Sequence, residues 1–134
     1  PVSNIMTSNL VLLNLTDSLE KAEELFKRNN IRHIPVVNGK KIEGILSYTD
    51  LLRISFADAV DEDESYVDSV VYNMFRIDQV MVKNLTTVKP SDTIYDVAKI
   101  LATNSFHALP VVDQDNLVGI VTTTDLIMYL IDQY

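Results

Sequence analysis

Apolar positions along the chain change period in a fixed order, and the order occurs twice. Leu19, Ala22, Leu25 and Phe26 recur at helical spacing behind Thr16, Asp17 and Ser18, and Ile94, Val97, Ala98 and Leu101 do so behind Ser91, Asp92 and Thr93. Helical spacing behind residues that can cap predicts an amphipathic helix of about three turns in each place. Short β-branched runs follow, His33 to Val37 and Ala108 to Val112, which break at Asn38-Gly39 or Asp113-Gln114-Asp115-Asn116 and resume as Ile42 to Leu46 or Leu117 to Val121. Each pair predicts a β-hairpin, with Asn38-Gly39 the stronger turn signal. Thr49-Asp50 and Thr124-Asp125 then introduce a second apolar helix, Leu51 to Phe56 and Leu126 to Ile131. A short strand around Val11 to Leu13 and Thr86 to Val88 completes a β-α-β-β-α unit in each copy.

The copies align directly. A shift of 75 residues pairs positions 5 to 56 with 80 to 131 without a gap, and 13 of the 52 pairs are identical, where average composition gives about three or four. The identities cluster: Pro35-Val36-Val37 with Pro110-Val111-Val112, Gly44-Ile45 with Gly119-Ile120, and Thr49-Asp50-Leu51 with Thr124-Asp125-Leu126. Met6, Asn9, Leu10, Asp17 and Asn29 also recur, at Met81, Asn84, Leu85, Asp92 and Asn104. The expected fold is mixed α/β, two β-α-β-β-α repeats packed about a pseudo-twofold axis with a ligand cleft across it, because a unit of roughly 55 residues buries too little surface alone. The expected division is a first repeat over 1–56, an acidic linker and short helix over 57–76, and a second repeat over 77–134. Asp58, Asp61, Glu62, Asp63, Glu64 and Asp68 make that linker a solvated surface, with the short helix expected over Val67 to Phe75. Without a central Gly the run lacks the pattern of a calcium loop.

Composition narrows the functional classes. With 134 residues and 47% hydrophobic content the chain buries a core without staples, and having no Cys it offers neither thiolate zinc ligands nor a cysteine nucleophile. A formal charge of −8 opposes a nucleic-acid partner. Its apolar runs are too short to span a membrane and no signal-peptide pattern opens it, so a soluble, cytoplasmic protein is expected; Pro1 in place of Met favours processing or excision from a longer chain. There is no Gly-rich phosphate loop followed by Lys, no metal-ligand set, and no nucleophile with a His base among two His and three Gly, so neither a catalytic nor a metal-binding residue is expected.

The candidate chemistry lies where each hairpin hands over to its second helix. Ser47, Thr49 and Asp50, and their counterparts Thr122, Thr124 and Asp125, place hydroxyls, a carboxylate and backbone N–H groups at one helix N-terminus. Hydroxyls and N–H groups suit phosphate, and a carboxylate suits a ribose diol. The plainer reading of each Thr-Asp is an N-cap and nothing more. Arg32, His33 and His107 put basic side chains at the hairpin entrances, while Ala108 stands opposite His33 and makes the two places unequal.

Pro-Val-Val, a short turn and then Gly44-Ile45-Leu46-Ser47-Tyr48-Thr49-Asp50-Leu51, repeated as Gly119-Ile120-Val121-Thr122-Thr123-Thr124-Asp125-Leu126, resembles the motif of cystathionine-β-synthase (CBS) domains. The openings Ile5-Met6-Thr7 and Val80-Met81 are similar to the family's as well, and the resemblance spans nearly the whole chain. It implies a tandem CBS pair, a regulatory module that binds an adenosine-containing nucleotide (AMP, ADP, ATP or S-adenosylmethionine) in the cleft between repeats and signals to a regulated protein partner by a packing shift. By the same resemblance Arg32, His33 and His107 would reach phosphates. The other open reading is a structural dimerisation platform whose cleft is empty or vestigial. A homodimer is expected in either case, from the family's habit of pairing through helices and from the apolar Phe56, Met74, Phe75, Met128 and Tyr129 on the terminal helices.

Overall fold

The computed structural model describes residues 1–58 and 74–134, leaving out the side chains of 55–58. In order along the chain come a 3₁₀ turn at Val2–Asn4, β1 (Leu13–Asn14), α1 (Leu19–Asn29), β2 (His33–Asn38), β3 (Lys41–Ser47) and α2 (Tyr48–Asp58). After the undescribed stretch come α3 (Ile77–Val80), α4 (Ile94–Thr103), β4 (Ala108–Asp113), β5 (Asn116–Thr122) and α5 (Thr123–Asp132). The acidic run and the helix expected over Val67 to Phe75 fall outside the described residues, except for Met74 and Phe75 at its end.

The chain gathers into two compact units that do not coincide with the two sequence repeats. Unit A comprises residues 11–39 and 43–84; unit B comprises 1–10, 40–42 and 85–134. Each repeat's opening segment therefore packs in the unit built by the other repeat. In unit B, Thr7 pairs antiparallel with Ile120, exchanging N–H···O bonds of 2.8 and 3.0 Å, and the Val2 amide donates to Asp92 O at 2.7 Å. In unit A the matching exchange joins Ile45 and Val82, at 3.1 and 2.9 Å.

Each unit has its own apolar core. In unit A, Leu13, Leu19, Phe26, Ile34, Val36, Leu46, Leu51 and Ile77 are buried together, and Phe26 of α1 stacks on Tyr48 of α2 with ring centroids 5.1 Å apart. Unit B buries Val2, Val88, Val97, Leu101, Leu109, Val111 and Val121. The first helices start as their sequences direct: Ser18 Oγ accepts from Lys21 N–H, and Thr93 Oγ1 accepts from Asp96 N–H. Lys21 of α1 pairs with Asp17 just before the helix, and within α1 Lys27–Glu23 and Arg28–Glu24 pair one turn apart.

Four local details go beyond or depart from the sequence-based expectation. The strand before each first helix is minimal: β1 is two residues long and pairs parallel with β2, and its counterpart is a single parallel bridge from Val88 to Val111. The first hairpin turns on Gly39-Lys40, one residue later than Asn38-Gly39, because Asn38 remains in β2; Gly39, at φ +67°, takes the first central position alone, as a type II′ turn requires. The second hairpin holds both Gln114 (φ 51°) and Asp115 (φ 67°) left-handed, a type I′ requirement met without glycine. Finally, α2 and α5 begin before Thr49 and Thr124, so those threonines are not the caps.

Candidate functional site

In each unit a β-strand runs directly into a helix, and the cap sits on the last strand residue. Thr122, with extended backbone (φ −120°, ψ 166°), is the N-cap of α5. Its Oγ1 accepts from Asp125 N–H at 3.1 Å, and Asp125 Oδ2 accepts from Thr122 N–H at 3.0 Å, a closed capping box. Asp125 thus occupies N3 and Thr124 N2. Ser47 does the same for α2, its Oγ accepting from Asp50 N–H at 3.0 Å, but the carboxylate of Asp50 turns to Arg53, with Nη1 3.4 Å from Oδ1. The N-cap role expected of Thr-Asp therefore belongs to Ser47 and Thr122, since a capping oxygen must come from an extended residue three positions before the amide it receives. Thr49 and Thr124 are exposed at N2, where a hydroxyl sits among the orphan amides of the first turn.

The hairpin entrances lie against these helix starts. Arg32 O accepts from Tyr48 N–H at 2.9 Å in unit A, and His107 O accepts from Thr123 N–H at 3.0 Å and from Thr123 Oγ1 at 3.4 Å in unit B. Within each unit, then, the basic residue and the hydroxyl–carboxylate cluster are neighbours: Arg32 with Ser47, Thr49 and Asp50, and His107 with Thr122, Thr124 and Asp125. Arg32 and His107 are exposed, and His33 is half-buried at the start of β2. Exposed basic side chains beside a helix N-terminus and flexible hydroxyls suit an anion, and a half-buried carboxylate beside them suits a diol.

Four contributing residues escaped the sequence reading. Thr7 Oγ1 donates to Asp125 Oδ1 at 3.4 Å across 118 residues, which no local pattern reports. Tyr48 and Thr123, at N1, supply the amides that fasten the hairpin entrances. Arg53 had a readable signal, a cation three residues after Asp50 on a helix. Gly44 and Gly119 have a steric reason: a Cβ on Gly44 would stand 2.5 Å from Met81 Sδ and 2.8 Å from Val82 O, and one on Gly119 would stand 2.7 Å from Met6 Sδ and 3.1 Å from Thr7 O. They admit the opening segments.

Among the described residues no cluster of His, Asp or Glu is arranged to hold a metal ion, and no helix is long and apolar enough to cross a membrane. The sequence profile of the CBS domain matches twice, over residues 2–57 and 77–132. This chain belongs to the CBS domain family. The two matches are offset by the repeat spacing, and CBS domain pairs are generally regulatory rather than catalytic.

Solved structures agree. A Vibrio cholerae protein assigned to acetoin utilization (AcuB) superposes with a TM-score of 0.82 at 30% identity, covering 98% of this chain and 90% of that one. CBSX2 in complex with AMP gives 0.79 at 22% identity, over 98% and 96% of the two chains. The CBS domain pair of MJ0100 in complex with 5′-methylthioadenosine and S-adenosyl-L-methionine gives 0.78 at 24% identity, over 99% and 97%. Among curated relatives, protein MJ1225 of Methanocaldococcus jannaschii is 27% identical over 130 residues, and homoserine O-acetyltransferase of Methanococcus vannielii is 35% identical over 118. Those matches take in 96% and 87% of this CBS pair but only 46% and 22% of the relatives' lengths. The acetyltransferase match therefore says nothing of acetyl transfer here.

Proposed function

We propose that this CBS pair is a regulatory module that binds an adenosine-containing nucleotide at the N-termini of α2 and α5 and passes the event to a protein partner, without catalysing a reaction. The observation that carries the reading is the doubled arrangement: in both units a strand-end hydroxyl, an exposed N2 threonine, an N3 aspartate and a basic hairpin entrance meet at one helix start. Support comes from relatives of the same fold whose structures hold AMP, or 5′-methylthioadenosine and S-adenosylmethionine. In this reading Asp50 and Asp125 accept from ribose hydroxyls. Ser47, Thr49, Thr122 and Thr124 donate to phosphate or ribose oxygens, and Arg32, His33 and His107 face the phosphates. The module works in the cytoplasm, where such nucleotides are at hand.

The output runs along α5. Its N-terminus carries one cluster, and its body exposes Met128 as well as Ile127, Leu130 and Ile131, which with Tyr134, Thr123 and Leu126 line an apolar groove of about 260 Å³. Met74 and Phe75 are exposed as well, Tyr129 is half-buried, and the Phe56 side chain lies outside the described residues. A second copy of the chain covers this face in our reading, since a stripe this apolar is uncommon on a monomer. A ligand that shifts the start of a rigid ten-residue helix moves the stripe with it. Thermal unfolding with AMP, ADP, ATP and S-adenosylmethionine tests the binding: saturation near 100 times Kd should add about 2.7 kcal/mol. No shift with any of them refutes the nucleotide reading and leaves a structural platform. Light scattering tests the pairing, and a monomer at micromolar concentration refutes it.

A further inference from the structure

The two repeat-related clusters differ in charge by enough to sort ligands, a conclusion that rests on the nucleotide reading above. At the start of α2, Arg53 and Arg32, the latter fastened there by its main-chain carbonyl, stand against the single carboxylate of Asp50, a count of +1 when His33 is set aside. Arg53 belongs to this cluster by contact, since its Nη1 lies 3.4 Å from Asp50 Oδ1 while its side chain remains 73% exposed. The repeat shift of 75 places His107, Ala108 and Met128 where Arg32, His33 and Arg53 stand. At the start of α5 the charge is thus −1 from Asp125 with His107 set aside, two charges lower. Asp125 is held there by neutral donors, Thr122 N–H at 3.0 Å and Thr7 Oγ1 at 3.4 Å. In unit A the residue matching Thr7 is Val82, which brings no hydroxyl.

In a protein of net charge −8, a polyphosphate has to be drawn by local cations. We infer that the two sites take different ligands: the α2 site a nucleoside di- or triphosphate, and the α5 site a nucleoside with no more than one phosphate, including neutral or sulfonium-bearing adenosine derivatives. Of the two charges of difference, Arg53 against Met128 supplies one and Arg32 against His107, with the histidine set aside, supplies the other. Both Arg53 and Met128 lie on the second turn of their helices and outside either core, the former exposed and the latter in the apolar stripe that a second copy covers in our reading, so light scattering of each variant accompanies the titration.

Titration calorimetry of the whole chain with ATP and with 5′-methylthioadenosine, at low and at physiological salt, tests this in the parent, Arg53→Met, Met128→Arg and the double exchange. The parent should bind one ATP and one methylthioadenosine per chain without mutual competition, with salt weakening only the ATP. Arg53→Met should weaken ATP about ten- to a hundredfold, the worth of a charge-assisted contact, and leave methylthioadenosine within about twofold. Met128→Arg should create a second, weaker ATP site, and the double exchange, which leaves both clusters at zero with the histidines set aside, should bring the two sites' ATP affinities together. In the parent, two equivalent ATP sites, competition of the two ligands for one site, or ATP affinity unmoved by Arg53→Met overturns the sorting and leaves the nucleotide reading standing; in the last case Arg53 only pairs with Asp50 along the helix. An absence of heat and of thermal shift with every ligand overturns both.

Discussion

The starts of α2 and α5 are built on one backbone plan and finished with different side chains. Both are capped by a strand-end hydroxyl that accepts from the N3 amide, and both fasten the hairpin entrance by an N1 amide. In unit B the cap is closed: Asp125 returns the bond to Thr122, Thr7 leans on the same carboxylate, and Thr123 adds a hydroxyl to His107 O. In unit A the cap is open: Asp50 faces Arg53, and Tyr48, in place of Thr123, is anchored by stacking on Phe26, where unit B has Leu101. Duplication has kept the hydrogen bonds that place the main chain and varied the groups that face outward. The units therefore share a mechanism of assembly and present different side chains at the two helix starts.

The most damaging way to probe that comparison is at the exchanged opening segments. Ile77 and Val2 are repeat counterparts, both fully buried, each in the unit of the other repeat. Ile77→Ala should cost about 3 kcal/mol and Val2→Ala about 2 kcal/mol. Hydrogen exchange should locate the loss in α1, β2 and β3 for Ile77→Ala, and in α4, β4 and β5 for Val2→Ala; losses in the opposite units would break the assignment. Gly44→Ala comes next, about 2–3 kcal/mol by urea denaturation, since the new methyl meets the carbonyl of Val82 and the bonds that Val82 shares with Ile45 must give. Gly119→Ala should cost about 1 kcal/mol less, because a methionine sulfur is the nearest obstacle at both glycines but the Thr7 carbonyl stands 3.1 Å from the new methyl against 2.8 Å for that of Val82. Equal costs would mean that the two approaches are equally rigid.

The caps give smaller effects. Thr122→Ala breaks a closed box and should lose about 1.5 kcal/mol, whereas Ser47→Ala, in the open one, should lose about 0.5–1 kcal/mol; a reversed order would contradict the distinction drawn between them. At the hairpins, replacing Gln114-Asp115 by Asn-Gly should raise stability by about 0.5–1 kcal/mol, while the Gly39 turn has nothing comparable to gain. Smallest is a pH effect confined to unit A. Arg76 Nε–H donates to Asp78 Oδ1 at 3.0 Å and holds that carboxyl below its ordinary range, and the counterpart of Asp78 in unit B is Ser3. A carboxyl more acidic when folded lends stability that is present above its unfolded value and lost as pH falls through its folded one. Asp78→Asn should therefore flatten acid unfolding slightly, and Ser3→Ala should not.

What the sequence determined by itself is local or repeated: the order of the main helices and hairpins, both first-helix caps, the hairpin strands to within a residue, and the presence of hydroxyl, carboxylate and basic residues where each hairpin meets its second helix. These follow from side-chain period, cap chemistry and a shift of 75 that any reader of the chain can apply. The later turn at Gly39-Lys40 and the earlier start of α2 and α5 were invisible because strand pairing and capping geometry, not the favoured dipeptides, fix those boundaries. Only the tertiary structure decided which segments share a unit. Thr7 meets Asp125 and Met81 meets Gly44 because each opening segment pairs with the β-hairpin of the other repeat. Contacts of that kind bring together residues far apart in the chain, and neither residue's neighbours in sequence carry any trace of them.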